Sequence, residues 1–143
     1  MIRFATNDDL EFLSKYDHHI NRDELFNSIT LKRIIILEEK NLTIGWLRYN
    51  LFWDNTPFMN MLYILDGYRL MGYGKKVVNF WEIEMKKMGY NLLMTSTQVN
   101  ENAKHFYRKL GYSDVGGFTP FNEEYEIILM KKNIICVNIG IRM

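Results

Sequence analysis

Cysteine is nearly missing from this 143-residue chain, with Cys136 its single example. One thiol cannot close an internal disulfide, so the expected compartment is reducing. An excess of charge of either sign is missing too. Eighteen Lys and Arg face seventeen Asp and Glu, for a net charge of +1, which argues against a nucleic-acid partner held by electrostatics. No apolar run reaches the roughly 18 residues of a membrane helix, and the opening segment, with Asp8, Asp9 and Glu11, lacks the pattern of a secretion signal. No membrane partner is expected, and a cytoplasmic location is. Internal repeats and low-complexity stretches are absent as well.

What is present suits one compact domain with a sizeable core: 48% of residues are hydrophobic and 24% charged. The pattern alternates strands with helices. Ile2–Ala5 reads as a short strand, and Thr6 with Asp9 three residues on as a helix N-cap. Leu10, Leu13 and Tyr16 give that helix an apolar face. Asn21 with Glu24 offers a capping box before Leu25 and Ile29. Ile34–Leu37 and Leu42–Phe52 are strands joined by a polar turn at Glu39–Asn41, residues 53–57 a loop, and Phe58–Leu65 a strand apolar on both faces. A helix from Lys75 to Met88 follows, with Val77, Phe80, Trp81, Met85 and Met88 on one stripe and Glu84 the exception. Gly89 ends it. Leu92–Thr97 is then a strand, Asn100–Leu110 a helix with Gly111 after it, and Tyr112–Phe118 and Glu124–Lys131 the closing strands.

The most informative stretch is Arg69-Leu70-Met71-Gly72-Tyr73-Gly74-Lys75. It lies between a strand and a helix, where backbone N–H groups and the helix dipole favour a phosphate. Gly72 and Gly74 let the backbone come close to an anion. A dinucleotide fingerprint would need glycine at Val77. A P-loop would need Lys and Ser or Thr where Tyr73 and Gly74 stand. What remains is R-x-x-G-x-G, a pattern that a plain turn also produces.

A second segment, Asn100 to Tyr112 (NENAKHFYRKLGY), gives the first its meaning. With Arg69, Gly72 and Gly74, the matches Asn100, Ala103, Tyr107, Gly111 and Tyr112 resemble the GNAT superfamily of N-acetyltransferases. The resemblance implies an α/β fold of mixed α+β type. Its mostly antiparallel central sheet is splayed between the fourth and fifth strands and flanked by about four helices. Residues 1–131 would form the single domain, and 132–143 a tail without an assigned role. It implies acetyl-CoA as co-substrate, no metal, an amine acceptor as partner, and homodimers as a common state. The coenzyme's pyrophosphate would lie on residues 69–75 (Arg69, Leu70, Met71, Gly72, Tyr73, Gly74, Lys75), with Arg69, Lys75 or Lys76 offsetting charge. Its pantetheine arm would pair with Leu62, Ile64 and Leu65 and touch Asn100 and Ala103. A backbone N–H near Ile64 or Leu65 would face the thioester oxygen.

Acetyl transfer to an amine needs the coenzyme held, the oxyanion stabilised and the leaving thiolate protonated. Tyr107 is the candidate acid. A phenol, with a reference pKa of about 10 against roughly 8.5 for a thiol, still carries a proton when a thiolate departs. The same residue also fits plain core, since Ala103, Phe106, Tyr107 and Leu110 form one stripe. Asn100 would bind the pantetheine amides or cap the helix. The family often carries a basic Glu in the fourth strand; this chain has Asn60, which leaves Asp54, Asp66 and His19 as substitutes and the base unassigned. On the acceptor side, Trp46, Arg48, Asn50 and Phe52 alternate on one strand face, and His19, Trp53, Asp54 and Asn60 are the candidate lining. An aromatic wall with a carboxylate suits a cationic amine, although Trp46 and Phe52 fit core packing equally. Asp17-His18-His19 would form a lid or a helix-end cluster, and adjacent histidines do not make a metal site. The alternative is an inert acyl-CoA-binding module.

Overall fold

The structure, a computed structural model, describes residues 1–133. The expected tail lies outside the described residues from position 134 on, and so does Cys136. Strand β1 (Ile2–Phe4) leads into a one-turn 3₁₀ segment, Asn7–Asp9. Thr6 closes a capping box there, its hydroxyl accepting from the Asp8 N–H and its own N–H reaching the Asp9 carboxylate at 2.8 Å. The box therefore starts a 3₁₀ turn, and helix α1 (Leu10–Tyr16) follows. Helix α2 (Arg22–Thr30) begins where the Asn21 side chain accepts the Glu24 N–H at 2.9 Å.

Strands β2 (Ile34–Glu39) and β3 (Leu42–Phe52) turn at Lys40 and Asn41, both at positive φ. The next connection corrects the expected loop over 53–57. Trp53 and Asp54 sit at φ 52° and 64°, and the Asn55 N–H reaches the Phe52 carbonyl at 3.2 Å. That is a two-residue hairpin turn of the left-handed kind, so Pro57 already belongs to β4 (Thr56–Ile64). Tryptophan gives no local signal for such a turn, so the residue pattern alone starts the strand late, at Phe58. Helix α3 (Tyr73–Lys87) starts two residues before Lys75 and leaves Met88 outside, half-exposed at 51%. Strand β5 (Leu92–Gln98), helix α4 (Ala103–Lys109), β6 (Ser113–Phe118) and β7 (Glu126–Lys132) complete the chain.

The seven strands form one sheet in the order β1-β2-β3-β4-β5-β7-β6. Its pairs β1–β2, β2–β3, β5–β7 and β6–β7 are antiparallel, whereas β4 and β5 are parallel, with Phe58 beside Met94 and Met59 beside Thr95. With four α-helices among the described residues, this is the expected mixed α/β fold. The chain divides into two compact units. One holds Met1–Asn50 and Met61–Trp81, the other Leu51–Asn60 and the chain from Glu82 on. In the first unit Leu13, Leu25, Ile29, Ile34, Ile36 and Trp46 make a buried cluster, and α3 contributes Val77, Val78 and Trp81. In the second, Met59, Leu93, Met94, Tyr107, Tyr112, Ile127 and Leu129 are buried. Full cover of β4 on both faces does not hold: Pro57 and Met59 are buried, but Asn60 and Tyr63 are exposed.

Candidate active site

The glycine turn lies wholly in the first unit. Gly72 takes φ +84°, where a Cβ is strained, and nothing lies within 4 Å of the space that atom would fill. The Lys76 N–H bonds to the Gly72 carbonyl at 3.2 Å, so the N–H groups of Tyr73, Gly74 and Lys75 precede the first bond of the helical ladder. They are the orphan donors of the helix start, at the positive end of its dipole. Leu70 and Met71 are exposed on the turn, Leu70 at φ 62°. Lys75 and Lys76 are exposed, and Lys76 Nζ lies 5.5 Å from the Tyr73 ring centre.

Arg69 does something the motif does not disclose. Its Nε donates to the Ile64 carbonyl at 2.6 Å, its Nη1 meets Asp66 at 2.9 Å, and its guanidinium lies 5.0 Å above the Tyr63 ring. The residue thus ties the turn back to the end of β4. Its charge has a partner in Asp66, which also occupies one of the candidate bases. The end of β4 is close against β3 at Gly45, where a Cβ would stand 2.7 Å from the Tyr63 carbonyl. There the Leu65 N–H bonds to the Ile44 carbonyl at 2.8 Å. This corrects the expectation for Leu65: its amide is taken. Strand alternation turns the Ile64 N–H the other way, leaving Ile64 as the candidate. Leu62 and Ile64 are half-buried.

The same unit holds a cavity of about 210 Å³. Met61, Tyr63 and Leu65, alternate residues of β4 and its end, form one wall; Trp46 and the segment Tyr16–His19 form the rest. Asp17, the C-cap of α1, organises it. Its carboxylate accepts Arg48 Nε at 2.9 Å, Arg48 Nη2 at 3.3 Å, Trp46 Nε1 at 3.1 Å and the His19 N–H at 3.2 Å. Burial works to raise the Asp17 pKa, but the Arg48 bonds and charge, with the His19 and Trp46 donors, outweigh it and hold it below the usual value. Trp46, fixed at its indole edge, stacks on Tyr63 at 5.0 Å, and Phe12 meets it edge-on at 5.9 Å. The sequence pattern places Trp46 and Arg48 on one strand face but does not reveal Asp17 as their partner. The available signal is an arginine among the apolar residues 44–49, since a buried charge needs a counter-charge. Tyr63 and Met61 are further lining residues that the sequence reading misses, although period-two alternation from Leu65 identifies them.

Tyr107 belongs to the second unit. It is 7% exposed, and its hydroxyl donates to Met59 Sδ at 4.0 Å. Burial pushes its pKa up to about 12, with the Thr95 hydroxyl pulling it down and Glu101 adding to the rise. Thr95 itself donates to the Met59 carbonyl at 3.1 Å. Asn100 is exposed in the turn before α4, and Ala103 is the first residue of that helix, half-buried. The N-cap is Asn102, so the expected capping by Asn100 is corrected. Glu101 closes this turn instead, accepting from Thr97 Oγ1 and the Gln98 N–H at 3.3 Å. Of the residues expected around the acceptor, His19 lines the cavity described above. Trp53, Asp54 and Asn60 belong to the other unit: Trp53 is 80% exposed at the hairpin tip with Asp54, and Asn60 is exposed on β4. Among the described residues no cluster of His, Cys, Asp or Glu could hold a metal, and no helix is long and apolar enough to cross a membrane.

Comparison with known proteins agrees with this fold. No curated protein matches the chain in sequence. Solved structures do match in fold. Ard1 from Thermoplasma volcanium superposes with a TM-score of 0.80 at 10% identity, over 92% of this chain and 96% of that one. A ribosomal-protein-alanine N-acetyltransferase from Brucella melitensis gives 0.78 at 14%, over 92% and 99%. The PaiA N-acetyltransferase from Thermoplasma acidophilum, solved with coenzyme A, gives 0.74 at 19%, over 92% and 98%. The model of the acetyltransferase (GNAT) family matches residues 3–112, a span that takes in the glycine turn, the cavity residues and the segment through Tyr112, and the chain belongs to that family.

Proposed function

We propose that the chain is an acetyl-CoA-dependent N-acetyltransferase that moves the acetyl group directly to a primary amine. The observation that carries this reading is the first unit's pairing of an anion-ready helix start with an aromatic cavity, the two joined by Arg69 on Tyr63. The N–H groups of Tyr73, Gly74 and Lys75, with Gly72 before them, would cradle the pyrophosphate. Leu62 and Ile64 would pair with the pantetheine arm, and the Ile64 N–H would meet the thioester oxygen as charge develops there. The cavity would take the acceptor.

In the reaction the amine lone pair forms the N–C bond while the carbonyl electrons move onto oxygen. Their return expels sulfur, which leaves with the C–S electrons and receives a proton. Tyr107 is assigned as that donor. The proton lost by nitrogen restores the phenol through water, so the exchange balances. With a pKa near 12 the phenol is a weaker acid than a thiol of about 8.5. Transfer is therefore uphill until the nitrogen proton is released, and the hydroxyl serves first as a hydrogen-bond donor to the departing sulfur. Asp17 is ruled out as base by its four donors; His18 and His19 line the cavity beside it.

The test is thiol release from acetyl-CoA across a panel of primary amines. Amine-dependent release supports transfer, and coenzyme binding with no release for any amine favours the inert module, a reading that Asn60 in place of an acid on β4 keeps open. The site is tested separately. Gly72→Asp puts a side chain and a negative charge at φ +84° on the turn, and the dissociation constant for coenzyme A is expected to rise at least about tenfold, or 1.4 kcal/mol. Unchanged calorimetric affinity in a folded variant would remove the turn from the site.

A further inference from the structure

We propose that the cavity selects a small amine carrying one positive charge on a flat or apolar body, and discriminates against polyamines and other polycations. This rests on the reading of the cavity as the acceptor site. The ground is a count of charges around it. Asp17 supplies the lining's carboxylate among the described residues, and its side chain is fully buried, its charge matched by Arg48 at 2.9 Å. Asp66, the acid that follows the lining residue Leu65, is engaged by Arg69. A cation, in contrast, stands on an outer ring: Lys15 Nζ lies 5.3 Å from the centre of the Tyr16 ring, while the Arg69 guanidinium over Tyr63 is offset by Asp66. A second ammonium on the acceptor would thus find repulsion and no partner.

Apart from His18 and His19, the remaining wall is apolar or aromatic, made of Tyr16, Trp46, Met61, Tyr63 and Leu65. One ammonium fits against aromatic faces, and a hydrocarbon body gains by leaving water. Size points the same way. About 210 Å³ falls short of the roughly 300–1,000 Å³ of pockets for drug-sized ligands. An aminoglycoside does not fit whole.

The experiment compares hexylamine with hexamethylenediamine, equal in length and different by one charge, and adds phenethylamine and spermidine. Turnover is read as kcat/KM and binding by calorimetry on the coenzyme-A-loaded protein, so a slow amine still reports its affinity. Phenethylamine and hexylamine are expected to exceed the diamine and spermidine by about tenfold or more in either readout. Lys15→Glu, an exposed change outside the proposed machinery, is expected to narrow that gap about two- to threefold. A diamine or spermidine that equals or exceeds the monoamines, with coenzyme affinity intact, overturns the charge argument and leaves the transferase reading standing. A gap that Lys15→Glu leaves unchanged overturns it too. Absence of coenzyme A binding would bring down the underlying reading itself.

Discussion

Tyr107 and Tyr112 stand five residues apart in one motif, both buried, and their rings meet edge to face at 5.9 Å. Their hydroxyls are treated in opposite ways. Tyr112 donates to Glu82 at 2.8 Å, and Lys131 reaches the other oxygen of that carboxylate at 2.9 Å. Lys131 also lies over the Tyr112 ring, and the Asn133 amide donates to the Glu82 carbonyl at 3.1 Å. Burial, then the Glu82 charge and its hydrogen bond, push the Tyr112 pKa far up. Tyr107 has a sulfur at 4.0 Å and the Thr95 hydroxyl nearby. A thioether is a weak acceptor, so this hydroxyl can exchange its partner at small cost, whereas that of Tyr112 cannot. One hydroxyl is held by a carboxylate and the other faces a weak acceptor.

The comparison can be broken in four places. Tyr107→Phe keeps the ring and removes the hydroxyl, and kcat is expected to fall by about 10²–10⁴ with coenzyme affinity and melting temperature nearly unchanged. Pre-steady-state measurement of the first turnover keeps slow product release from hiding the effect. A near-normal rate would make Tyr107 core. Tyr112→Phe is expected to do the reverse. It leaves the buried Glu82 carboxylate one donor short, at a cost of about 1–3 kcal/mol in denaturant unfolding, with kcat changed less than about threefold.

Alkaline pH sharpens the contrast. Because the Tyr107 pKa lies near 12 against about 10 unfolded, its contribution to stability is complete below pH 10. It is lost as pH rises toward 12, because the unfolded chain releases the proton first. The rate should therefore show no tyrosine limb below about pH 11, and a limb near pH 10 in the wild type, absent from Tyr107→Phe, would mean that water reaches the phenol. The smallest effect is expected of Thr95→Val. Removing the hydroxyl that lowers the Tyr107 pKa should slow kcat by about two- to fivefold, and a rate unaffected by it would uncouple Thr95 from the acid.

Much of the fold is legible in the residue pattern. The Gly72 turn, α3 and the α4 segment announce themselves through local rules: a glycine where φ must be positive, apolar residues three and four apart, and a stop at Gly89 and Gly111. Boundaries shift where a local cue is ambiguous. Trp53 carries no signal for a left-handed turn, and Asn100, Glu101 and Asn102 all suit a helix start, so the pattern extends α4 three residues too far at its N-terminal end. The site is legible as a set of residues and far less as an environment. Arg69 reads as a phosphate partner, yet its guanidinium is shared among Asp66, the Ile64 carbonyl and Tyr63.

By itself the sequence determined the family motifs, the glycine turn before α3, the helix periods and the identity of Tyr107 as a phenol on an apolar stripe. Each is encoded within a few neighbouring residues, whose spacing sets backbone geometry directly. Tertiary structure alone decided that Asp17 would meet Arg48 across 31 positions, that Trp46 would stack on Tyr63, and that Tyr107 would hold its proton while Tyr112 is bound to Glu82. Those outcomes depend on which groups are brought together and how much water is removed from around them. Charge, hydrogen bonding and pKa respond to that environment, and no pattern along the chain records it.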